Sequence, residues 1–488
     1  MPETPNVVLL VLDTLRADAI SCYDGGAEFD VRTPNLDRVA ARGTVFERAF
    51  STGAWTPTAH GSLFSGRYPA ATGFLGEWPT MPDSVPLLAE RFERAGYDTI
   101  GVQGPAKMGP GTGLDRGFEA YYDVYSEVAD RPSLEYAKQM GTNDRVRRDF
   151  LRLVTRGNDY YTGIRFDALE DAIDATGRPF FAAANVPTAH WPYDPPRPYK
   201  REATPALSRP RIPLVEEFRD AQSFDDPAVR DDRLFAAADG RDGRSVDLLY
   251  YDDPAYLNDA ELDVLRRWYG ACVRYLDEWV GRFLDFLEAR GLTDDTLLVV
   301  TSDHGEFFGE HDVLYHGNFL HDAVTHVPLL FAGPGVEPGV RRDDLASLVD
   351  LFDTFCDLCG LSPPDGTDGR SLFGSGERDA VFAEEAVFDL SDEPDAGAVS
   401  DETLREFELG RKSIRTDEYR FELRSDGSER LYELPDERVI TDPGAEVVDS
   451  LRDRLVDALG EEFRSGAGET AEYGEAVERN LRQLGYIE

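Results

Sequence analysis

The chain has 488 residues and a formal net charge of -43, from 94 acidic against 51 basic side chains. An acidic surface spread along the whole chain repels nucleic acid and anionic lipid, which argues against both as partners. It keeps a protein hydrated where salt screens self-repulsion to about 3 Å at 1 M, and so points to a high-salt cytoplasm.

Nearly all the positive charge is arginine, since lysine occurs only at Lys107, Lys138, Lys200 and Lys412. Hydrophobic residues make up 41% of the chain, ample for a large core. No run approaches the ~20 apolar residues of a membrane span. Val7 to Leu12 is apolar but short, lacks a basic leader and ends in Asp13, so no signal peptide is expected and the location is read as cytoplasmic.

In chain order, Asn6 to Leu12 (NVVLLVL) is a continuous β-rich run, the pattern of a strand buried on both faces of a parallel sheet. Pro34 to Arg42 has helical periodicity. Thr56 precedes a short helix with Pro57 at its start, where free N–H groups suit an anion. Val85 to Ala95 is a second helix, and Thr99 to Val102 and Phe180 to Val186 are further strands. Residues 195–258 are rich in Pro, Asp and Arg with little periodicity and are expected to form an insertion or lid. A long helix is predicted over Asp259 to Ala289 and a second fully buried strand over Thr296 to Thr301.

Strand–helix alternation over residues 1–400 predicts one α/β catalytic domain, a sheet covered by helices on both faces. From 401 the texture changes. Lys412 to Leu423, the turn Ser425-Asp426-Gly427 and Arg430 to Leu434 read as an antiparallel hairpin, with a helical tail, giving a small α+β subdomain over 401–488. The four cysteines, Cys22, Cys272, Cys356 and Cys359, give no disulfide framework. Cys356 and Cys359 lie in an apolar helical pattern and are read as core packing rather than a redox pair.

All seven histidines fall in three short segments: His60, His190, and the run His304, His311, His316, His321 and His326. Histidine ligates metals and moves protons near neutral pH, so segments that monopolise it look like parts of one centre. His321 and His326 are as readily structural. Asp13 sits just past one predicted strand, and Asp303 with His304 just past another. Ligands bind outside those strand ends in open parallel sheets, so the three make a candidate divalent-metal site. A hydroxyl at Thr56 beside a dication would serve as nucleophile, with Thr58 as the fallback.

These blocks resemble, in order and over nearly the whole chain, the sulfatase family of the alkaline phosphatase superfamily. They are NVVLLVLDTLRAD (Asn6 to Asp18), TPNLDRVAARGTVFERAF (Thr33 to Phe50), TAHGSLFSGRYPAATG (Thr58 to Gly73), LDRGFEAYYD (Leu114 to Asp123), HWPY (His190 to Tyr193), TSDHGEFFGEHDVLYHG (Thr301 to Gly317), HVPLL (His326 to Leu330) and LYEL (Leu431 to Leu434). The resemblance implies an alkaline phosphatase-like, mixed, mostly parallel sheet. It also implies a metal-dependent enzyme acting on sulfate or phosphate esters. The family's metal ligands carry over to Asp13, Asp303 and His304, and its basic substrate-binding positions to His60, His190 and His316, with Lys107 as the lysine of the intervening block.

Two departures qualify it. Thr14 stands where the family pairs a second Asp with the first, and Thr56 where it carries the Cys or Ser that is oxidised to formylglycine. Oxidation of threonine would give a ketone, so the formylglycine route is closed. Superfamily relatives that use an unmodified threonine act on phosphate esters. The expected enzyme is therefore a hydrolase or transferase of phosphate mono- or diesters. Thr56 would be the nucleophile, His60 and Lys107 would hold the anion, and His190 or His316 would protonate the leaving group. The set Asp13, Thr56, Asp303 and His304 implied by those relatives offers three oxygens and one nitrogen, which favour Mn²⁺ or Mg²⁺, with Zn²⁺ or Ca²⁺ as alternatives. Sulfuric ester hydrolysis is the main alternative function, and a non-catalytic anion-binding protein the third. The organic part of the substrate, read by residues 120–258, and the oligomeric state are not legible.

Overall fold

A computed structural model of the chain describes residues 4–466 apart from 24–27, 77, 105–107, 125–137, 139–140, 157–158, 160, 178, 206–233, 235–236, 238–243, 392 and 394. Most of the expected lid over 195–258, and Lys107, lie outside the described residues.

The first sheet contains β1 (Asn6–Val11), β2 (Gly43–Phe50), β3 (Asp98–Gln103), β4 (Ala120–Asp123), β5 (Phe180–Asn185) and β6 (Thr296–Thr301). After a separate two-stranded ribbon, β7 (Phe307–Phe308) and β8 (Leu314–Tyr315), it gains β9 (His326–Val327), β10 (Leu329–Ala332) and β11 (Val340–Ser347). The strand order is β11-β2-β10-β6-β1-β5-β3-β4, with β9 beside β2. β1 pairs in parallel with both β5 and β6, while β10 runs antiparallel between β2 and β6. The sheet is therefore mixed and mostly parallel, as the sequence implies.

The alternation of β-strand side chains splits the core in two. From β1, Val8 and Leu10 enter one hydrophobic cluster, and Val7, Leu9 and Val11 the other. From β6, Leu298 and Val300 join the first, and Leu297 and Val299 the second. The first cluster is covered by α1 (Pro34–Ala41) and the 31-residue helix Asp259–Ala289, which starts on the capping box Asn258–Glu261. The second is covered by α2 (Thr56–Ser65) and the helix Asp350–Leu358. Cys356 and Cys359 are buried there as free thiols, each pushed up to about 12 by burial, so they pack rather than react.

A second, five-stranded antiparallel sheet is formed by β12 (Val381–Glu385), β13 (Arg411–Arg415), β14 (Tyr419–Arg424), β15 (Glu429–Glu433) and β16 (Arg438–Val439), and the helix Ala445–Leu459 packs on it. The predicted hairpin is its middle. Its first strand, β12, precedes the change of texture at 401. No helix among the described residues is long and apolar enough to cross a membrane.

This second sheet buries charge. Glu422 accepts from Arg420 Nη1 at 3.0 Å and from Arg424 Nε at 2.6 Å, with Arg411 Nε at 3.7 Å. Burial pushes the Glu422 carboxyl up, but the three guanidiniums outweigh it and hold the group at about 2. Removing one partner leaves buried cations uncompensated, so Glu422→Gln should lose about 3–5 kcal/mol at pH 7 in urea unfolding. The folded value lies below the usual 4.5 of a glutamate, so this contribution is complete above pH 4.5 and lost as pH falls towards 2. The gap between wild type and variant closes over that window.

Candidate active site

The carboxyl ends of the central strands deliver polar side chains to one edge. β1 continues through Leu12, whose N–H donates to Thr301 O at 2.8 Å, to Asp13, whose N–H donates to Val186 O at 3.2 Å. Asp13 thus sits in the gap between the extensions of β6 and β5. From β5, Asn185 Nδ2 donates to Asp13 Oδ2 at 3.0 Å. From β6 come Asp303 and His304, both fully buried. Gln103 ends β3 and is also buried.

Asp303 Oδ1 accepts the N–H of His304 at 3.0 Å and of Thr14 at 3.3 Å. Thr14 serves the site through that backbone bond. It takes the left-handed conformation (φ 59), and its hydroxyl donates to Asp13 O at 2.8 Å. Asp13, Asp303 and His304 each offer a ligand atom, all within 4.8 Å of one another.

Burial raises both carboxyls. In Asp13 it is reinforced by Asp303 and outweighs the Asn185 bond, so Asp13 lies well above its ordinary value. In Asp303 the neighbouring His304 and His60 rings and the two N–H donors overcome burial and hold the group low. Asp13 Oδ1 and Asp303 Oδ2 are buried with no hydrogen-bond partner among the described residues. Two adjacent buried carboxylates with orphaned oxygens, beside an imidazole nitrogen, fit a divalent cation.

Thr56 is the first residue of α2. Trp55 before it is extended (φ -126, ψ 142) and makes no side-chain cap, and Pro57 fixes the first turn. Thr56 Oγ1 lies 3.3 Å from His304 Nε2. His304 Nδ1 pairs with Gly305 O at 3.0 Å, so Nδ1 carries the proton and the Nε2 lone pair faces Thr56 and the carboxylates. Thr58 Oγ1 has no partner among the described residues, and its methyl packs against Gly53 instead.

His60 is one turn further along α2 and fully buried. Its Nδ1 lies 2.9 Å from Thr56 O and 3.4 Å from Asp303 Oδ2. Burial lowers its pKa against the pull of Asp303, so the ring is a neutral brace behind Thr56. His190, His304 and His316 gather on the other side, with His316 centroids 4.5 Å from His304 and 4.7 Å from His190. Burial, then the charge of His316, drives His190 down to about 3, against the opposite pull of Glu306. His316 Nδ1 is paired with Glu306 Oε1 at 2.9 Å. Glu306 is fully buried and pushed up to about 7 by that burial, despite His190 and His304 nearby.

His311 and His321 stand apart from this cluster. With Glu437 they form a second group of metal-ligand type. Their rings stack 3.7 Å apart at 21°. Arg420 Nη2 also lies 3.0 Å from His321 Nδ1, where a cation repels a dication. Glu437 accepts from Arg420 Nε at 2.6 Å and from the Asp322 N–H at 3.1 Å, so the group is a latch between the loop after β8 and the second sheet. His326 is structural, its Nε2 2.8 Å from Glu47 O.

Sequence reasoning passed over Asn185, Glu306 and the buried Arg165 of the helix Thr162–Asp174, whose charge reaches Asp13. Asn185 had a signal, since FFAAAN ends in a polar residue just as NVVLLVLD does. Glu306 had one too, inside the TSDHGE block.

The Sulfatase family model matches residues 5–361. The chain belongs to the sulfatase family. It is accordingly a hydrolase of sulfate or phosphate esters. Among curated relatives, the choline-sulfatase of Rhizobium meliloti (strain 1021) is 27% identical over 408 residues, covering 75% of this sulfatase-family chain and 70% of its own length. The human (Homo sapiens) iduronate 2-sulfatase is 27% identical over 405 residues, covering 74% and 70%. Among solved structures, the phosphonate monoester hydrolase of Agrobacterium radiobacter superposes with a TM-score of 0.67 at 21% identity, over 93% of this chain and 95% of that one. That likeness concerns the fold.

Proposed function

We propose that this sulfatase-family chain hydrolyses or transfers phosphate esters, with Thr56 as the nucleophile. The observation that carries the reading is Thr56 Oγ1 at 3.3 Å from His304 Nε2, beside Asp13 and Asp303, at the start of a helix. Threonine cannot become an aldehyde, and a threonyl sulfate would have no hemiacetal route of release. A threonyl phosphate ester is simply hydrolysed, or passed to an alcohol. A divalent cation held by Asp13, Asp303 and His304, Mn²⁺ or Mg²⁺ before Zn²⁺ or Ca²⁺, would lower the hydroxyl's pKa and offset charge on the ester.

In this reading Thr56 Oγ1, its proton released to solvent water, bonds to phosphorus as the bond to the leaving oxygen breaks. The free N–H groups at the start of α2 face the developing negative charge. The His316–Glu306 pair supplies the proton to the leaving oxygen. His190, held near 3, is uncharged at neutral pH and packs edge-on against His316 as the wall that orients it. His60 supports the Thr56 carbonyl, and Lys107 would meet the anion. His316→Ala should then cost about 10²–10⁴ in kcat on alkyl esters and little on nitrophenyl esters, whose leaving group needs no proton. A loss independent of the leaving group would remove His316 from that role.

Sulfuric ester hydrolysis is the second reading, favoured by the names of the curated relatives. Wild type is to be assayed with an aryl sulfate, an aryl phosphate and a bis-aryl phosphate, in Mn²⁺ and molar salt. The salt follows from reading the -43 net charge as fitted to a saline cytoplasm. Preference for a phosphate ester is expected, and preference for the sulfate would favour the second reading. Binding of all three without turnover would leave an anion-binding protein.

A further inference from the structure

We infer that Glu385, on the second sheet, is a positioning residue that fixes the backbone segment delivering Thr56 to the site. The inference rests on Thr56 as nucleophile. Glu385 ends β12 and is buried. Its Oε1 accepts the N–H of Ala54. That amide lies two residues before Thr56, in the extended turn that enters α2.

The approach is built into the neighbouring sequence. A Cβ on Gly53 would lie 2.8 Å from Glu385 Oε1 and 2.5 Å from Thr58 Cγ2, so only glycine admits the carboxylate there. The adjacent Glu384 holds the chain on either side of α2. Its N–H donates to Thr52 O at 3.0 Å, and its side chain accepts the N–H of Ala70 in the short helix Pro69–Thr72. Two consecutive residues of β12 thus grip the segments before and after the helix that carries Thr56.

The Trp55 ring packs against His316 and Phe388. The Glu385 acceptor holds the turn before it from the second sheet. The charged groups facing Glu385 are Glu384 and Arg411. The metal-ligand group comes from the ends of β1 and β6, which Glu385 does not touch. A residue acting this way affects where the Thr56 hydroxyl points, not what binds, and a misplacement of about 1 Å costs about a hundredfold.

Glu385→Met nearly keeps the volume and removes the acceptor. The test is amide hydrogen exchange of the peptide spanning Ala54 and Trp55 in the full chain, with kcat, KM and Mn²⁺ affinity on the same preparation. Glu385→Met should speed exchange at the Ala54 amide at least about tenfold and leave the β1 and β6 peptides unchanged. Its kcat should fall about 10–100-fold, with KM and Mn²⁺ affinity within about twofold of wild type. Unchanged exchange overturns the grip. Faster exchange with an unaltered kcat, or a kcat loss matched by equal losses of Mn²⁺ affinity and thermal stability, overturns the positioning role. Thr56→Ala, assayed alongside, separates the two ideas. If it retains turnover, the nucleophile assignment fails while the exchange result still reports on Glu385.

Discussion

Thr56→Ala should abolish turnover of every ester the protein accepts, by about 10³–10⁶ in kcat, while Mn²⁺ binding stays intact. Thr56 supplies the hydroxyl 3.3 Å from His304 Nε2, and the alternative, Thr58, is turned with its methyl towards Gly53. Asp13, Asp303 and His304 all remain in Thr56→Ala, so the variant keeps both carboxylates and the imidazole for Mn²⁺. Thr58→Ala should stay within about tenfold of wild type. A reversal of the two results would move the nucleophile to Thr58.

The second large effect concerns Asp13. In the metal-free protein its carboxyl is raised by burial and by Asp303, above its ordinary 3.8. A group raised on folding favours the native state at low pH and withdraws that support as pH climbs past its unfolded value. A cation must displace the proton, so Mn²⁺ affinity should rise up to about tenfold per pH unit until Asp13 is ionised. Asp13→Asn removes the repulsion with Asp303 but also a ligand. The metal-free variant should be at least as stable as wild type, and the decline attributable to Asp13 at rising pH should vanish. The stabilisation by Mn²⁺, about 2.7 kcal/mol at a hundredfold excess over Kd for wild type, should disappear. Thermal unfolding with and without chelator reads both. A variant that melts lower without metal and still gains stability with it would show that Asp13 is structural.

The strands buried on both faces were legible because their sequences carry no other message. NVVLLV and TLLVVT are continuous apolar runs, and each became a strand with alternate residues in opposite cores. The long helix Asp259–Ala289 was legible through its period. β11 was not, because VRRDDLAS alternates charge along the sheet edge and only its last three residues are buried. β2, GTVFERAF, hides similarly behind half-buried Glu47 and Arg48.

At the site, the ligand group could be read because each member follows a strand in sequence. His60 and His190 were visible as histidines but not as buried neutral rings, since burial is a property of their neighbours. Glu385 had no sequence signal at all. It lies 331 residues from Ala54, and nothing local in VFAEE distinguishes an acid aimed at a buried amide from an ordinary surface glutamate.

The central claim is the covalent threonyl ester, and the most direct measurement is mass spectrometry of the protein after acid quench during turnover of a bis-aryl phosphate. The account predicts an aryl-phosphoryl adduct on the peptide containing Thr56, localised to that residue and absent from Thr56→Ala. Undiminished turnover with no adduct on any residue, or an adduct localised to Thr58, would contradict it.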